Sequence, residues 1–437
     1  MIQFEGGLAM RTSRLVNTFF MILLIAMIIF QAIPVFAEFS PVVHEEFLYE
    51  DTGSGIIITG YDGEEASLVL PSEIGGKAVI GVRSLGVQGG VEHITIPDDV
   101  HLIGNPFINC FTLKSINVSP AHPELCIIDG VLFSKDTEQL IRYPSERPGD
   151  AYTIPEGTRT IGRGAFCDCP YLTEIRIPDS VVSIDSDAFC LCTQLKSLDI
   201  PSGVTGIGIM AFGNSGLCSM DLSSCTITEI PDRLFYGCYQ LKEVSLPSGI
   251  SSIGDEAFAF TDLESFTLPA GIGHIGVNPF RDCQSLRDIR LEDHAQRYIY
   301  DAPYLIDLSE NRLITCISTV DKSLTLPEVA EIGDFSFAAN HTLMHLVIPS
   351  SVVRIGTGAF AGCSHLEDVL IQECTGLLIC RQSFSDCASL THVTILGDVS
   401  ALEEDVFRYD TFLREISAQS AVVRDYCEAN NLPLSFR

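Results

Sequence analysis

The sequence predicts an α/β repeat solenoid: a right-handed coil with one parallel β-sheet face, about eleven rungs of roughly 22–24 residues, two β-hairpin inserts and capped ends. Three observations predict it. Pro155, Pro178 and Pro201 stand 23 residues apart, twice in succession, a period that belongs to stacked supersecondary units. Between them the same apolar spacing returns: Val-x2-Ile, Ala-Phe, Cys, Leu-x2-Ile-x-Ile. An equivalent aromatic recurs as Phe107, Phe166, Phe189, Phe212, Phe235, Phe258, Phe280, Phe337, Phe360, Phe384 and Phe407.

Residues 1–37 read as a targeting segment. Arg11 and Arg14 precede an apolar run from Phe19 to Phe30, and Val35 and Ala37 supply small residues for cleavage before Glu38. The fully apolar stretch is about a dozen residues, short for a membrane span. The expectation is a cleaved signal peptide and a secreted or cell-surface protein, membrane-anchored if the segment stays. No second run of spanning length and no sorting signal follows. The formal net charge of -31 repels phosphate backbones and anionic lipid heads, which argues against nucleic-acid partners.

Residues 38–90 form an N-terminal β cap, with a strand at Gly55–Thr59 and an Asp62-Gly63 turn. Gly75-Gly76-Lys77 resembles the end of a phosphate loop, but it lacks the following Ser or Thr and the upstream glycine, so a hairpin turn is the better reading. The array occupies residues 91–417. In each unit, Leu-x2-Ile-x-Ile is a short strand with alternating burial, and the proline after it stops the strand because it cannot donate to a ladder. Ile-Gly-x2-Ala-Phe-x2-Cys folds the chain back as a tight turn or short helix. Two inserts lengthen the period, near residues 119–153 and 292–325. Val131–Tyr143 and Tyr304–Cys316 align without a gap at an offset of 173 residues, each with apolar pairs around a polar turn, a hairpin signal. Phe133, Tyr143 and Tyr304 are anchors for a partner if exposed. Residues 418–437 are a C-terminal helical cap ending at Asn430 or Asn431, which covers an otherwise open edge.

The run Leu195-x2-Leu198-x-Ile200-Pro201-x2-Val204-x2-Ile207-Gly208-x2-Ala211-Phe212 resembles the treponemal-type leucine-rich repeat of BspA-like proteins. The resemblance covers roughly residues 55–437, including the Ile-Thr-Gly-Tyr-Asp-Gly turn and the Asp129-Gly130-Val-Leu-Phe-Ser-Lys-Asp insert. It implies secreted or surface proteins, mostly bacterial, some of them adhesins for host matrix or other microbes.

Sixteen cysteines in an exported chain suggest disulfides. Their positions suggest otherwise. Cys110, Cys169, Cys192, Cys238, Cys283, Cys363 and Cys387 all stand three residues after the repeat Phe, where other units carry Ser215, Thr261, Asn340 and Asp410. That place suits a small side chain bonded to turn backbone, so buried free thiols are expected. Cys167 and Cys190, one rung apart, are the best-placed pair for a disulfide. Cys167, Cys169, Cys190 and Cys192 could also be read as four metal thiolates, but two of them are ordinary repeat cysteines, and no metal or cofactor is expected. No acid, base and nucleophile set converges in the sequence, so an enzyme is not expected.

What remains is the strand face. Residues flanking the middle apolar position point away from the core. They include Glu174, Arg176, Ser197, Asp199, Asp221, Glu243, Asp288, Arg290, His345, Asp368 and His392. Solenoids use such faces for binding. The sequence therefore predicts a non-enzymatic interaction protein whose partner is a protein or glycan on another cell or in matrix. The alternative is a structural, envelope-associated repeat protein without a specific ligand.

Overall fold

Most Leu-x2-Ile-x-Ile segments form a short strand that pairs in parallel with a neighbouring one; Leu195–Ile200 runs through the same place without strand hydrogen bonding, so the ladder is interrupted there. The computed structural model describes residues 42–44, 46–86, 90–292, 297–317 and 322–435; the targeting segment lies outside them. The solenoid belongs to the unit Val43–Arg437. Ala151–Thr153 pairs with Glu174–Arg176, and Ser265–Leu268 with Asp288–Leu291. Ser323–Thr325, His345–Ile348, Asp368–Ile371, His392–Ile395 and Glu415–Ala418 follow one another in unbroken register. Burial alternates along these strands, because successive side chains leave opposite faces.

A second parallel ladder was not legible in the sequence. It is built from two-residue strands at the Val-x2-Ile position. Thr160–Ile161, Ser183–Ile184 and Gly206–Ile207 pair in sequence, as do Glu229–Ile230, Ser252–Ile253 and His274–Ile275. The expected single sheet face is thus joined by a narrower one across the core.

The Ala-Phe segment is a turn, not a helix, and it makes a third set of inter-rung bonds. The Phe166 N–H donates to Ala188 O at 2.8 Å, Phe189 to Ala211 O at 2.7 Å, and Phe235 to Ala257 O at 2.8 Å. From Phe166 onward the backbone reaches this geometry by entering the left-handed region two residues before and two after each repeat Phe. Asp187 and Leu191 flank Phe189 this way, Met210 and Asn214 flank Phe212, and Arg233 and Gly237 flank Phe235. A non-glycine residue there costs about 1–2 kcal/mol. The cost is borne because each left-handed residue aims N–H groups at the next turn.

Inside, the Phe rings stack. Phe166, Phe189, Phe212, Phe235, Phe258 and Phe280 follow at 5.2–5.8 Å, and Phe337, Phe360, Phe384 and Phe407 at 4.8–5.8 Å. Burying each ring contributes about 1.5–3 kcal/mol, and each contact about 0.5–1.5 kcal/mol more.

The coil has about 15 turns rather than eleven. Counting by Phe misses turns whose ladder place holds another residue. Leu85 donates to Pro106 O, Tyr143 to Ala165 O and Cys316 to Ser336 O, so all three occupy the Phe place. The inserts are three-stranded antiparallel meanders: Leu125–Ile128, Val131–Ser134 and Gln139–Arg142, then Tyr298–Asp301, Tyr304–Asp307 and Arg312–Cys316. The last strand of each joins the narrow ladder, pairing with Thr160–Ile161 and with Glu331–Ile332. They widen the coil. Phe133, Tyr143 and Tyr304 are consequently buried, which removes them as anchors.

At the start, Phe47–Asp51 and Ile56–Tyr61 form a hairpin, and Ile56–Tyr61 pairs in parallel with Lys77–Val82. Gly75 and Gly76, with φ of 60° and 82°, turn a tight hairpin, as the two-residue mirror-image turns require. At the end, helix Ala421–Asn430 stops at left-handed Asn431. It buries Val423 and Cys427, and its Tyr426 ring closes the stack against Phe407. Helical content in the described residues is small.

Replacing Phe212, fully buried and stacked on both sides, by alanine is expected to cost about 3–5 kcal/mol in urea unfolding. Phe111→Ala, at an exposed position, should stay within about 0.5 kcal/mol of the parent.

Candidate functional site

The wide strand face carries the site residues that the sequence singles out. Strand pairing fixes which side most of them take, while Ser197 and Asp199 sit on a rung without strand pairing, flanking the buried Leu198. Glu174, Arg176, Ser197, Asp199, Asp221, Glu243, Arg290, His345 and His392 are exposed, and Asp288 and Asp368 are half-buried. The apolar residues between them, such as Ile175, Leu198, Met220 and Ile289, are buried.

The cations on this face are partnered along their own strands. Arg176 bonds Glu174 at 2.7 Å, and Arg290 bonds Asp288 at 2.9 Å. Between them lie Asp199, Asp221 and Glu243, for which the described residues show no ion pair. Asp221 accepts the Ser223 N–H at 2.9 Å, and bonds from the Ser223 side chain and backbone hold its carboxyl below the usual range. The middle of the face is therefore a band of carboxylates without counter-charge. Further along, His345 Nδ1 meets Asp368 Oδ2 at 2.9 Å, and His392 Nδ1 meets Asp368 Oδ1 at 3.2 Å.

The repeat cysteines do what a small polar side chain in that place should do. Cys192 Sγ donates to Phe166 O at 3.1 Å, Cys238 to Phe212 O at 3.0 Å, and Cys283 to Phe258 O at 3.1 Å. Each thiol reaches back one rung to the carbonyl of the preceding Phe. Burial pushes Cys238 and Cys283 up to about 11 and Cys363 up to about 12, so little thiolate exists near neutrality. Cys167 and Cys190 are free thiols that lie together beside Met210. Cys169 and Cys192 belong to the main core instead, so the four sulfurs divide between two clusters rather than converging.

One departure from the repeat creates a cavity. The ring that Tyr143 supplies in the first insert is absent from the second, where Cys316 takes its place. A half-open cavity of about 150 Å³ results, lined by Phe280, Cys316 and Phe337 among others. The break is bridged by polar contacts. Thr315 Oγ1 donates to Asn278 Oδ1 at 2.7 Å, and Arg281 lies over the rings of Phe260 and Phe335 while bonding the buried Glu256 at 2.6 Å.

Sequence reasoning missed the exposed aromatics. Phe111, Tyr171, Tyr239 and Phe412 stand on the ridge just before the strand face. Their place, one or two residues after the repeat Cys position, was the signal available. Among the described residues no helix is long and apolar enough to cross a membrane.

A family model described as "BspA type Leucine rich repeat region" matches in six copies, over residues 159–287 and 318–431, more than half of the chain. A search of curated proteins found no match. Among solved structures, a leucine-rich cell surface protein from Faecalibacterium prausnitzii is 24% identical with a TM-score of 0.51, covering 92% of this chain and 95% of that one. A leucine-rich repeat protein from Bacteroides ovatus is 19% identical with a TM-score of 0.42, covering 91% and 99%. The pneumococcal vaccine antigen PcpA is 16% identical with a TM-score of 0.40, covering 91% and 98%. The first of these supports the fold alone.

Two substitutions test the departures from the repeat. Cys316→Tyr should refill the cavity and raise stability by about 0.5–2 kcal/mol in chemical unfolding. Asp410 takes the repeat Cys place, with Oδ1 bonded to the Cys387 N–H at 2.8 Å and Oδ2 without a partner. Burial raises its carboxyl from 3.8 to about 8. The folded state thus holds a proton that the unfolded chain releases. This contribution to stability is complete below about pH 4 and is lost as pH rises through about 8. Asp410→Asn should flatten that decline in unfolding measurements from pH 4 to 9.

Proposed function

The chain belongs to the BspA-type leucine-rich repeat family, and on that premise we propose that it is an exported interaction protein that binds a partner through its wide strand face. The family consists of repeat proteins that are typically non-enzymatic, and its surface proteins suggest a protein-interaction role. The partner is a protein or glycan on another cell or in matrix, and adhesion is the role that such a partner implies. Export follows from the apolar leader with its small residues at Val35 and Ala37. The description of the Faecalibacterium prausnitzii protein as a cell surface protein fits the same location.

One observation carries the reading. Asp199, Asp221 and Glu243 stand exposed on successive rungs with no ion-pair partner among the described residues. An extended surface of this kind favours a partner that brings cationic groups, because complementary charge sets encounter rate and specificity.

Cell fractionation followed by pull-down with the mature protein tests both parts. The protein should appear outside the cytoplasm and capture a matrix or cell-surface component. The triple change Asp199→Lys, Asp221→Lys and Asp288→Lys should weaken that capture by on the order of tenfold or more, since like charges across an interface cost several kcal/mol. The unfolding midpoint should shift only slightly, because Asp199 and Asp221 are exposed and Asp288 loses only a solvent-exposed pair with Arg290, about 0–1 kcal/mol. Undiminished capture by the triple variant would show that the strand face is not the binding surface.

A further inference from the structure

The last rungs of the strand face differ in kind from the middle ones. At one register position the parallel strands place Ser323, His345, Asp368, His392 and Glu415 side by side. Neighbouring strands lie about 4.8 Å apart, so these side chains are direct neighbours. Earlier rungs hold Glu174, Glu243, Asp288 and His93 at the equivalent place, but their strand partners there are Ala151, Ser219, Ser265 and, for His93, Ser67 and Ser115. An alternation of imidazole and carboxylate is confined to this end.

Its geometry is more specific than a polar column requires. His345, Glu367 and Asp368 each offer a ligand atom, and these atoms lie within 4.8 Å of one another. The His345 Nδ1 to Asp368 Oδ2 distance is 2.9 Å. Two ligands of a tetrahedral zinc at bond lengths of about 2.0–2.1 Å stand roughly 3.3 Å apart, so a small outward movement admits an ion. The other Asp368 oxygen is occupied separately, at 3.2 Å from His392 Nδ1. That bond fixes the carboxylate as outer partners fix metal ligands.

We propose that His345, Glu367 and Asp368 form a binding site for a divalent transition metal, zinc in the first instance, with His392 as the residue that positions the Asp368 carboxylate. One imidazole and two carboxylates suit zinc better than calcium or magnesium, which take oxygen ligands. The side chains of His345 and Asp368 are 47% and 48% exposed. The remaining coordination position therefore opens to solvent, where water completes it. The site stands on its own geometry, whether or not the middle of the face binds a partner.

The test is calorimetric titration of the metal-stripped mature chain with zinc chloride, repeated with cobalt for its visible spectrum. One saturable equivalent is expected, with a cobalt spectrum that lacks thiolate charge-transfer bands. His345→Ala and Asp368→Asn should each weaken binding by on the order of tenfold or more, and His392→Ala by less, as loss of an outer partner does. All three side chains are half-exposed, so circular dichroism should show an intact fold. His274→Ala, on the narrow ladder, should bind as the parent does. His341 and His365 lie on the neighbouring turns. If His341→Ala and His365→Ala remove binding while His345→Ala does not, the assignment is wrong. Absence of a saturable equivalent, or cobalt bands from thiolate, overturns it equally.

Discussion

The backbone of each turn hydrogen-bonds chiefly to the turns on either side, and that requirement governs the rest of the chain. Wide strands, two-residue strands and Ala-Phe turns each pass bonds to the next rung. A single turn leaves these groups unsatisfied and its apolar face uncovered, so stability arises between rungs rather than within them. The same requirement explains the ends. The first rungs lean on the Phe47–Asp51 hairpin, and the last on helix Ala421–Asn430, whose Tyr426 hydroxyl accepts the Val406 N–H at 3.0 Å. It also explains why left-handed backbone is tolerated at Leu191, Met210 and Arg233. Strain of about 1–2 kcal/mol at one residue is offset where both flanking turns hold it.

The inserts obey this rule and diverge where the rule leaves freedom. Both return their third strand to the narrow ladder, so the backbone course is conserved across the 173-residue offset. What differs is the side chain at the ladder place. Tyr143 continues the ring stack towards Phe166 at 5.4 Å, whereas Cys316 ends it. The break between Phe280 and Phe337 is then filled by polar work from Asn278, Thr315 and Arg281. A stack of identical turns can lose a ring without losing its course, because backbone pairing carries register.

Legibility in the sequence follows from the same division. The Phe column, the strand-ending prolines and the outward strand positions are side-chain patterns at a fixed period, and their places could be read directly. The left-handed positions could not, because Leu191, Met210, Arg233 and Tyr409 have no preference for that conformation and only the stack imposes it. The narrow ladder has two residues per strand, too few to show alternation. Phe133, Tyr143 and Tyr304 are anchors only if their hairpins project from the coil, and the sequence leaves projecting and widening equally open. Once the third strand joins a ladder, those rings must turn inward. The outward positions of His345, Asp368 and His392 were readable. The approach of Glu367 to them was not, since it depends on side-chain direction one residue before the strand.

Periodic stacking also constrains how the chain can carry a charge of -31. A residue repeated at one register becomes a column with neighbours about 4.8 Å apart, and like charges directly opposite destabilise a sheet. The paired strands of the wide face avoid this. Glu243 stands opposite Ser219, Asp221 opposite Ser245, Asp288 opposite Ser265 and Glu174 opposite Ala151. In these pairs each acid faces a small residue, and Glu174 and Asp288 also bond an arginine on their own strand, whereas Asp199 and Asp221 take the same place on successive rungs without a cation among the described residues. That leaves the middle of the face acidic yet stable, open to cations from a partner. At the last rungs the interruption is histidine instead of serine, and Asp368 lies between His345 and His392. Spacing that elsewhere keeps carboxylates apart here brings donor atoms together, which makes this end of the face chemically distinct from the rest.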